Sequence, residues 1–158
     1  MGVRAISTEL RLSTTPTTEA TFSEIPCREQ AHTGPVRVFV VEDDALSAIV
    51  LNDLLELWGF EVCGMAGDAK TAIREAERYR PDFLLMDIRL AGQMDGVAAA
   101  QELRRRINVR SIFLTAHTDR ATMQRVRETE PLDILAKPYS PDQLQATLNR
   151  ALEQLRLG

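Results

Sequence analysis

The chain has 158 residues, 44% of them hydrophobic and 27% charged, with a formal net charge of −4. These proportions suit one globular domain with a sizeable core, and the mild acidity gives no general case for nucleic-acid or membrane binding. Of the two cysteines, Cys27 lies in a polar stretch and Cys63 in a predicted strand, so a disulfide framework is not expected, and without a bilayer-spanning run or signal-peptide core the expected location is the cytoplasm.

Residues 1 to about 34 contain STTPTTEATFSE and few large apolar side chains. Such a composition buries too little surface to offset ordering entropy. This stretch reads as a disordered tail with a short helix around Ala5–Leu12, ahead of a folded domain over 35–158.

From Val36 onward, strand-like and helix-like segments alternate. Val36–Val41 is an apolar run suited to a strand buried on both faces. Ala45–Trp58 reads as a helix, with Leu46, Ile49, Val50, Leu54 and Leu57 at helical spacing and Gly59 closing it. Phe60–Ala66 is the second strand, and Asp68 caps a helix to about Tyr79 that Pro81 stops. Asp82–Asp87, containing FLLM, is the third strand, and Asp95 caps a helix through about Ile107. Arg104, Arg105 and Arg106 suit the negative end of that helix's dipole. Ser111–Thr115 is the fourth strand, Thr118–Thr129 the fourth helix and Leu132–Ala136 the fifth strand. Ser140-Pro141-Asp142-Gln143 then combines an N-cap, a first-turn proline and a capping-box glutamine before a helix to about Leu155.

Five βα units predict a parallel sheet with helices on both faces, and in such sheets ligands bind beyond the carboxyl ends of the strands. Those ends carry Glu42-Asp43-Asp44, Asp87, Thr115 and Lys137. Carboxylates crowded within a few ångströms resist full ionisation, and a hard, oxygen-seeking cation such as Mg²⁺ relieves the conflict. A carboxylate nucleophile, a metal, a hydroxyl and an ammonium together suit phosphoryl transfer. Asp87, alone at the end of the most apolar strand, is the best candidate for the nucleophile.

VFVVEDD, LLMD, FLTA and AKPY, in this order and spacing, resemble the response-regulator receiver domain, the CheY-like family of two-component signalling. The resemblance covers about Val36 to Leu155. It implies a flavodoxin-like α/β fold, a doubly wound five-stranded parallel sheet in order 2-1-3-4-5 with five helices. It makes Asp87 the phosphoacceptor and Glu42 and Asp43 the acidic pair. Mg²⁺ would be held by Asp43, Asp87 and the main-chain carbonyl of Arg89, beside Glu42. Thr115 would be the switch hydroxyl and Lys137 the phosphoryl contact, preceding a cis bond to Pro138. Arg89 and His117 would border the path of hydrolytic water and tune the phosphoryl lifetime. Asp44 would only start the first helix.

The same resemblance implies signalling rather than an enzyme, with a sensor histidine kinase or histidine phosphotransfer protein as donor. It implies an unidentified downstream protein target, no direct nucleic-acid or membrane binding, and room for a homodimer. Because the sequence stops after the fifth helix, a stand-alone, single-domain regulator is expected. Some features depart from the family pattern. DIRLAGQMDG lacks the usual proline and is one residue longer, Glu130-Pro131 replaces Gly-Ala, and Ile134 occupies the aromatic switch position. Three other readings compete. A haloacid-dehalogenase-type phosphohydrolase wants an acid where Arg89 stands. A flavin protein wants a phosphate loop where EDDAL stands. A phosphorylation-independent interaction module would not need the complete set of site residues.

Overall fold

The computed structural model describes residues 33–116 and 119–158. The predicted tail up to residue 32, its helix around Ala5–Leu12, Cys27 and His117 lie outside the described residues. Strands and helices alternate as β1 (Arg37–Val41), α1 (Ala45–Leu57), β2 (Glu61–Ala66), α2 (Ala69–Tyr79), β3 (Phe83–Asp87), α3 (Gly96–Ile107), β4 (Arg110–Thr115), α4 (Arg120–Glu128), β5 (Asp133–Ala136) and α5 (Pro141–Leu157). All strand pairs are parallel and the order is β2-β1-β3-β4-β5, as expected.

Alternation along the central strands divides the core. Val38, Val40, Phe83, Leu85, Ile112 and Leu114 face α1 and α5, packing with Leu51, Leu55, Leu144 and Leu148. Phe39, Val41, Leu84, Met86 and Phe113 face α2, α3 and α4, packing with Ala72, Ala76, Val97, Leu103 and Val126. Successive side chains of a strand point to opposite faces, so a strand covered on both sides must be apolar throughout.

Each helix begins at the carboxyl end of the sheet on a side-chain cap. Asp44, Asp68, Asp95, Asp119 and Ser140 accept from the amides of Ser47, Thr71, Ala98, Thr122 and Gln143, which satisfies otherwise orphaned N–H groups. The expected capping box of Ser140 and Gln143 is formed, and Asp44 starts α1 as expected.

One expectation needs correction. The fourth helix begins at Arg120, because Asp119 is its cap and the helix cannot extend ahead of that residue. In α1, of the apolar residues at helical spacing, Leu46, Ile49, Val50 and Leu57 are exposed and Leu54 is partly buried against the core, while Ala48, Leu51 and Leu55 are buried. This helix carries apolar residues on two faces, and the sheet covers only one.

Between Val38 and Phe39 the pairing of β1 with β2 shifts by one residue, skipping Cys63. Gly64 then faces Phe39, and a Cβ there would lie 2.5 Å from the fully buried ring. Close approach of ring to backbone therefore requires glycine.

Candidate functional site

β1 and β3 are neighbours, so their carboxyl ends bring Glu42 and Asp87 together with no long loop between them. Glu42 is held by its own amide, which donates to the Ala66 carbonyl at 2.9 Å. Its Oε1 accepts from the Asp44 amide at 3.2 Å, which turns the other carboxylate oxygen toward the pocket. Asp87 ends β3, and its Oδ1 accepts from the Arg89 amide at 3.2 Å. Both carboxylates are buried, whereas the neighbouring Asp43 is exposed.

Lys137 crosses from the far side of the sheet. Its amide donates to the Thr115 carbonyl at 2.8 Å, extending the β4–β5 ladder by one bond. The peptide to Pro138 is cis, as expected. Its Nζ donates to Glu42 Oε2 at 2.9 Å and to Asp87 Oδ2 at 3.0 Å. Burial alone would lower the ammonium's pKa, but the bonds to Glu42 and Asp87 raise it above the ordinary lysine value, so it stays charged. Burial pushes the Glu42 carboxyl up despite its bond to Lys137. One ammonium serves two buried carboxylates, and an acidic excess remains.

Oxygens of Glu42, Asp43 and Asp87 all lie within 4.8 Å of one another, close enough to hold one ion. The donor set is all oxygen and includes one exposed carboxylate, which fits a hard cation that keeps part of its water shell. Receiver domains typically bind Mg²⁺ at such an acidic pocket.

Thr115 is buried at the end of β4, one residue past the partner of Asp87 in the β3–β4 register. Arg89 is exposed just beyond Asp87. Ile134 is half-buried with Met123 against the core beneath α4, and Tyr139 sits against the opposite core, where burial raises its phenol pKa. The two side chains thus lie on opposite faces of the sheet.

Two features of the site escaped the sequence. Gly96 lies against the Asp87 main chain, where any Cβ would overlap the Asp87 carbonyl oxygen, and its amide donates to the Ile88 carbonyl at 2.7 Å. Its place in an Asp-Gly pair after a long loop is a local signal that could have been used. Arg125 pairs with Asp95, and no local pattern signals that contact across 30 residues.

The profile of the family described as "Response regulator receiver domain" matches residues 38–149. The chain is 33% identical over 122 residues to the transcriptional regulatory protein PdtaR of Mycobacterium tuberculosis (strain CDC 1551 / Oshkosh), covering 77% of this chain and 59% of that protein. It is 35% identical over 127 residues to the phyllosphere-induced regulator PhyR of Methylorubrum extorquens, covering 79% and 46%. It therefore spans less than two thirds of the length of these relatives. Among solved structures, the signal receiver domain of a modulated diguanylate cyclase from Desulfovibrio desulfuricans G20 is 36% identical with a TM-score of 0.72, covering 78% of this chain and 98% of that one.

Proposed function

The chain belongs to the response regulator receiver domain family, and from that premise we propose that it accepts a phosphoryl group on Asp87 from a phosphohistidine. Receiver domains act in signalling and are generally not enzymes. The observation that carries the reading is the meeting of Asp87 with Lys137 at 3.0 Å, inside a triad of carboxylates able to hold an ion.

In the proposed step an Asp87 carboxylate oxygen attacks phosphorus. The P–N bond to the donor imidazole breaks, the imidazole leaves with the bonding pair, and an aspartyl phosphate remains. Glu42, Asp43, Asp87 and the Arg89 carbonyl would hold Mg²⁺, whose charge would offset repulsion between the carboxylates and the incoming phosphate. Lys137 would pair with a phosphoryl oxygen, and Thr115 would donate its hydroxyl to another. Arg89, exposed at the mouth, would shield the product from water, and we assign His117 the same role. Arg89→Ala and His117→Ala should each shorten the first-order decay of the phosphorylated protein, and unchanged decay would remove these roles.

Receiver domains interact with histidine kinases or phosphotransfer proteins and with downstream targets. Here the exposed row Leu46, Ile49, Val50 and Leu57 begins three residues after Asp43. We assign it to the phosphodonor partner, because a protein seated there lies beside the pocket.

The test is intact mass after incubation with Mg²⁺ and a small phosphodonor. One added phosphoryl group is expected, and none with chelator or in Asp87→Asn. Equal labelling of parent and Asp87→Asn would overturn the assignment.

A further inference from the structure

Among the described helices, α4 has the weakest apolar seat. Its sequence RATMQRVRE buries only Val126, whereas α3 buries Val97, Ala99, Ala100 and Leu103 among others. The residue before that valine is Arg125, and its guanidinium makes two bonds to Asp95, Nη1 to Oδ2 at 2.7 Å and Nη2 to Oδ1 at 3.0 Å. Such two-pronged pairing is the strong geometry for an arginine and a carboxylate.

Asp95 is also the cap of α3, accepting from the Ala98 amide at 2.8 Å. The next residue, Gly96, is bonded to the Ile88 carbonyl directly after Asp87. One carboxylate thus joins the loop that follows Asp87, the start of α3 and the middle of α4. Both members of the pair border an open groove of about 740 Å³, together with Asp68, Lys70, Ala91 and Met94, so water and salt reach them.

We propose that the Asp95–Arg125 pair is an electrostatic latch that holds α4 against the loop following Asp87, so that ionic contact rather than apolar burial sets how firmly this helix docks. Under the switch role assigned above to Thr115, whose strand leads into α4, the latch is the tie that movement of the helix must work against. The latch itself belongs to the unmodified chain. Its test is therefore separate from phosphoryl uptake at Asp87, which the mass measurement reads.

The test is amide hydrogen exchange on the full chain for the parent, Asp95→Asn, Arg125→Gln and the double variant. Asparagine keeps the α3 cap, since its side-chain oxygen still accepts from Ala98, while losing the charge. At low salt, exchange in α4 should be about two- to fivefold faster in each variant, with α3 and α5 unchanged. The double variant should match the singles, because both remove the same contact. At about 1 M NaCl the difference from the parent should shrink, since the partly exposed pair is then screened. Parent-like exchange of α4 in Arg125→Gln would overturn the latch. So would additive single effects, a difference undiminished by salt, or exchange in α3 rising as much as in α4 for Asp95→Asn.

Discussion

At the scale of single residues, the pocket is governed by one cation shared between two buried anions. Replacing Lys137 with Met leaves Glu42 and Asp87 facing each other without compensation. Breaking fully buried pairs costs more, but Lys137 keeps 26% of its side chain exposed, so a loss of about 1–2 kcal/mol is expected without metal. Mg²⁺ should restore more stability to Lys137→Met than it adds to the parent, because it neutralises the same carboxylates. Urea unfolding with and without Mg²⁺ measures both effects, and an equal Mg²⁺ increment in the two proteins would count against the shared site. Asp43 presents the opposite case. It is exposed and takes no part in the Lys137 bonds, so Asp43→Ala should leave metal-free stability within about 0.5 kcal/mol of the parent. Its Mg²⁺-induced rise in melting temperature should largely disappear, and an undiminished rise would remove Asp43 from the metal set.

At the scale of elements, close backbone contacts and caps decide how the strand ends are presented. Alanine usually improves on glycine inside a helix by about 1 kcal/mol. At Gly96 the sign should reverse, because a methyl group would overlap the Asp87 carbonyl and push β3 and α3 apart. A loss of about 1–3 kcal/mol in urea unfolding is expected for Gly96→Ala, with slower phosphoryl uptake because Asp87 itself is displaced.

The Asp95 carboxyl illustrates competing causes. Burial would raise its pKa, but the bonds from Arg125 and the Ala98 amide win and hold it below 3.8. Because its folded value is depressed, its contribution is complete above the unfolded value and is lost as pH falls through the folded one. The difference in melting temperature between parent and Asp95→Asn should therefore be constant near neutrality and close below about pH 4. The whole difference is no more than about 1 kcal/mol, since the side chain is partly exposed. A gap that persists at pH 2 would trace the effect to something other than this charge. The same helix packs Met123 with the half-buried Ile134 against the core. Ile134 of β5 and Met123 of α4 thus border the same core, and Tyr139 lies on the other face of the sheet.

At the scale of the whole molecule, the five caps and the acidic strand ends share one edge of the sheet, while arginines serve the other. Arg37 donates to the carbonyls of Tyr79 and Arg80 at the end of α2, and Arg110 donates to those of Glu130 and Pro131 after α4. Arg104 bonds Asn108 at the end of α3 and pairs with Glu130, while Arg105 and Arg106 share Glu102, holding that carboxyl at about 2. The predicted placement of this basic run at a helix terminus is what the structure shows. Such a layout leaves the outer row of α1 as an apolar surface beside the pocket. Ile49→Ser, at an exposed position, should change stability by less than about 0.5 kcal/mol. It should slow phosphoryl transfer from a protein donor while leaving uptake from a small phosphodonor unchanged. Equal slowing with both donors would place the defect in the pocket instead.

The sequence by itself determined the alternation of elements, the caps Asp68, Asp95 and Ser140, the start of α1 at Asp44 and the strand-end residues, because these depend on periodicity and hydrogen bonds reaching only three or four positions along the chain; the Asp119 cap was not read from it. Glu42, Asp43, Asp87, Thr115 and Lys137 could be read as a group once the sheet was assumed parallel. That they meet depends on β1 lying beside β3, and the strand order came from the family resemblance. Tertiary structure alone decided which apolar face of α1 is buried, since Leu46 and Leu51 are equally hydrophobic and only the position of the sheet distinguishes them. It also decided the skipped register at Cys63, the approach of Gly96 to Asp87 and the pairing of Arg125 with Asp95. These contacts join residues far apart in the chain, and their geometry exists only after the layers have packed.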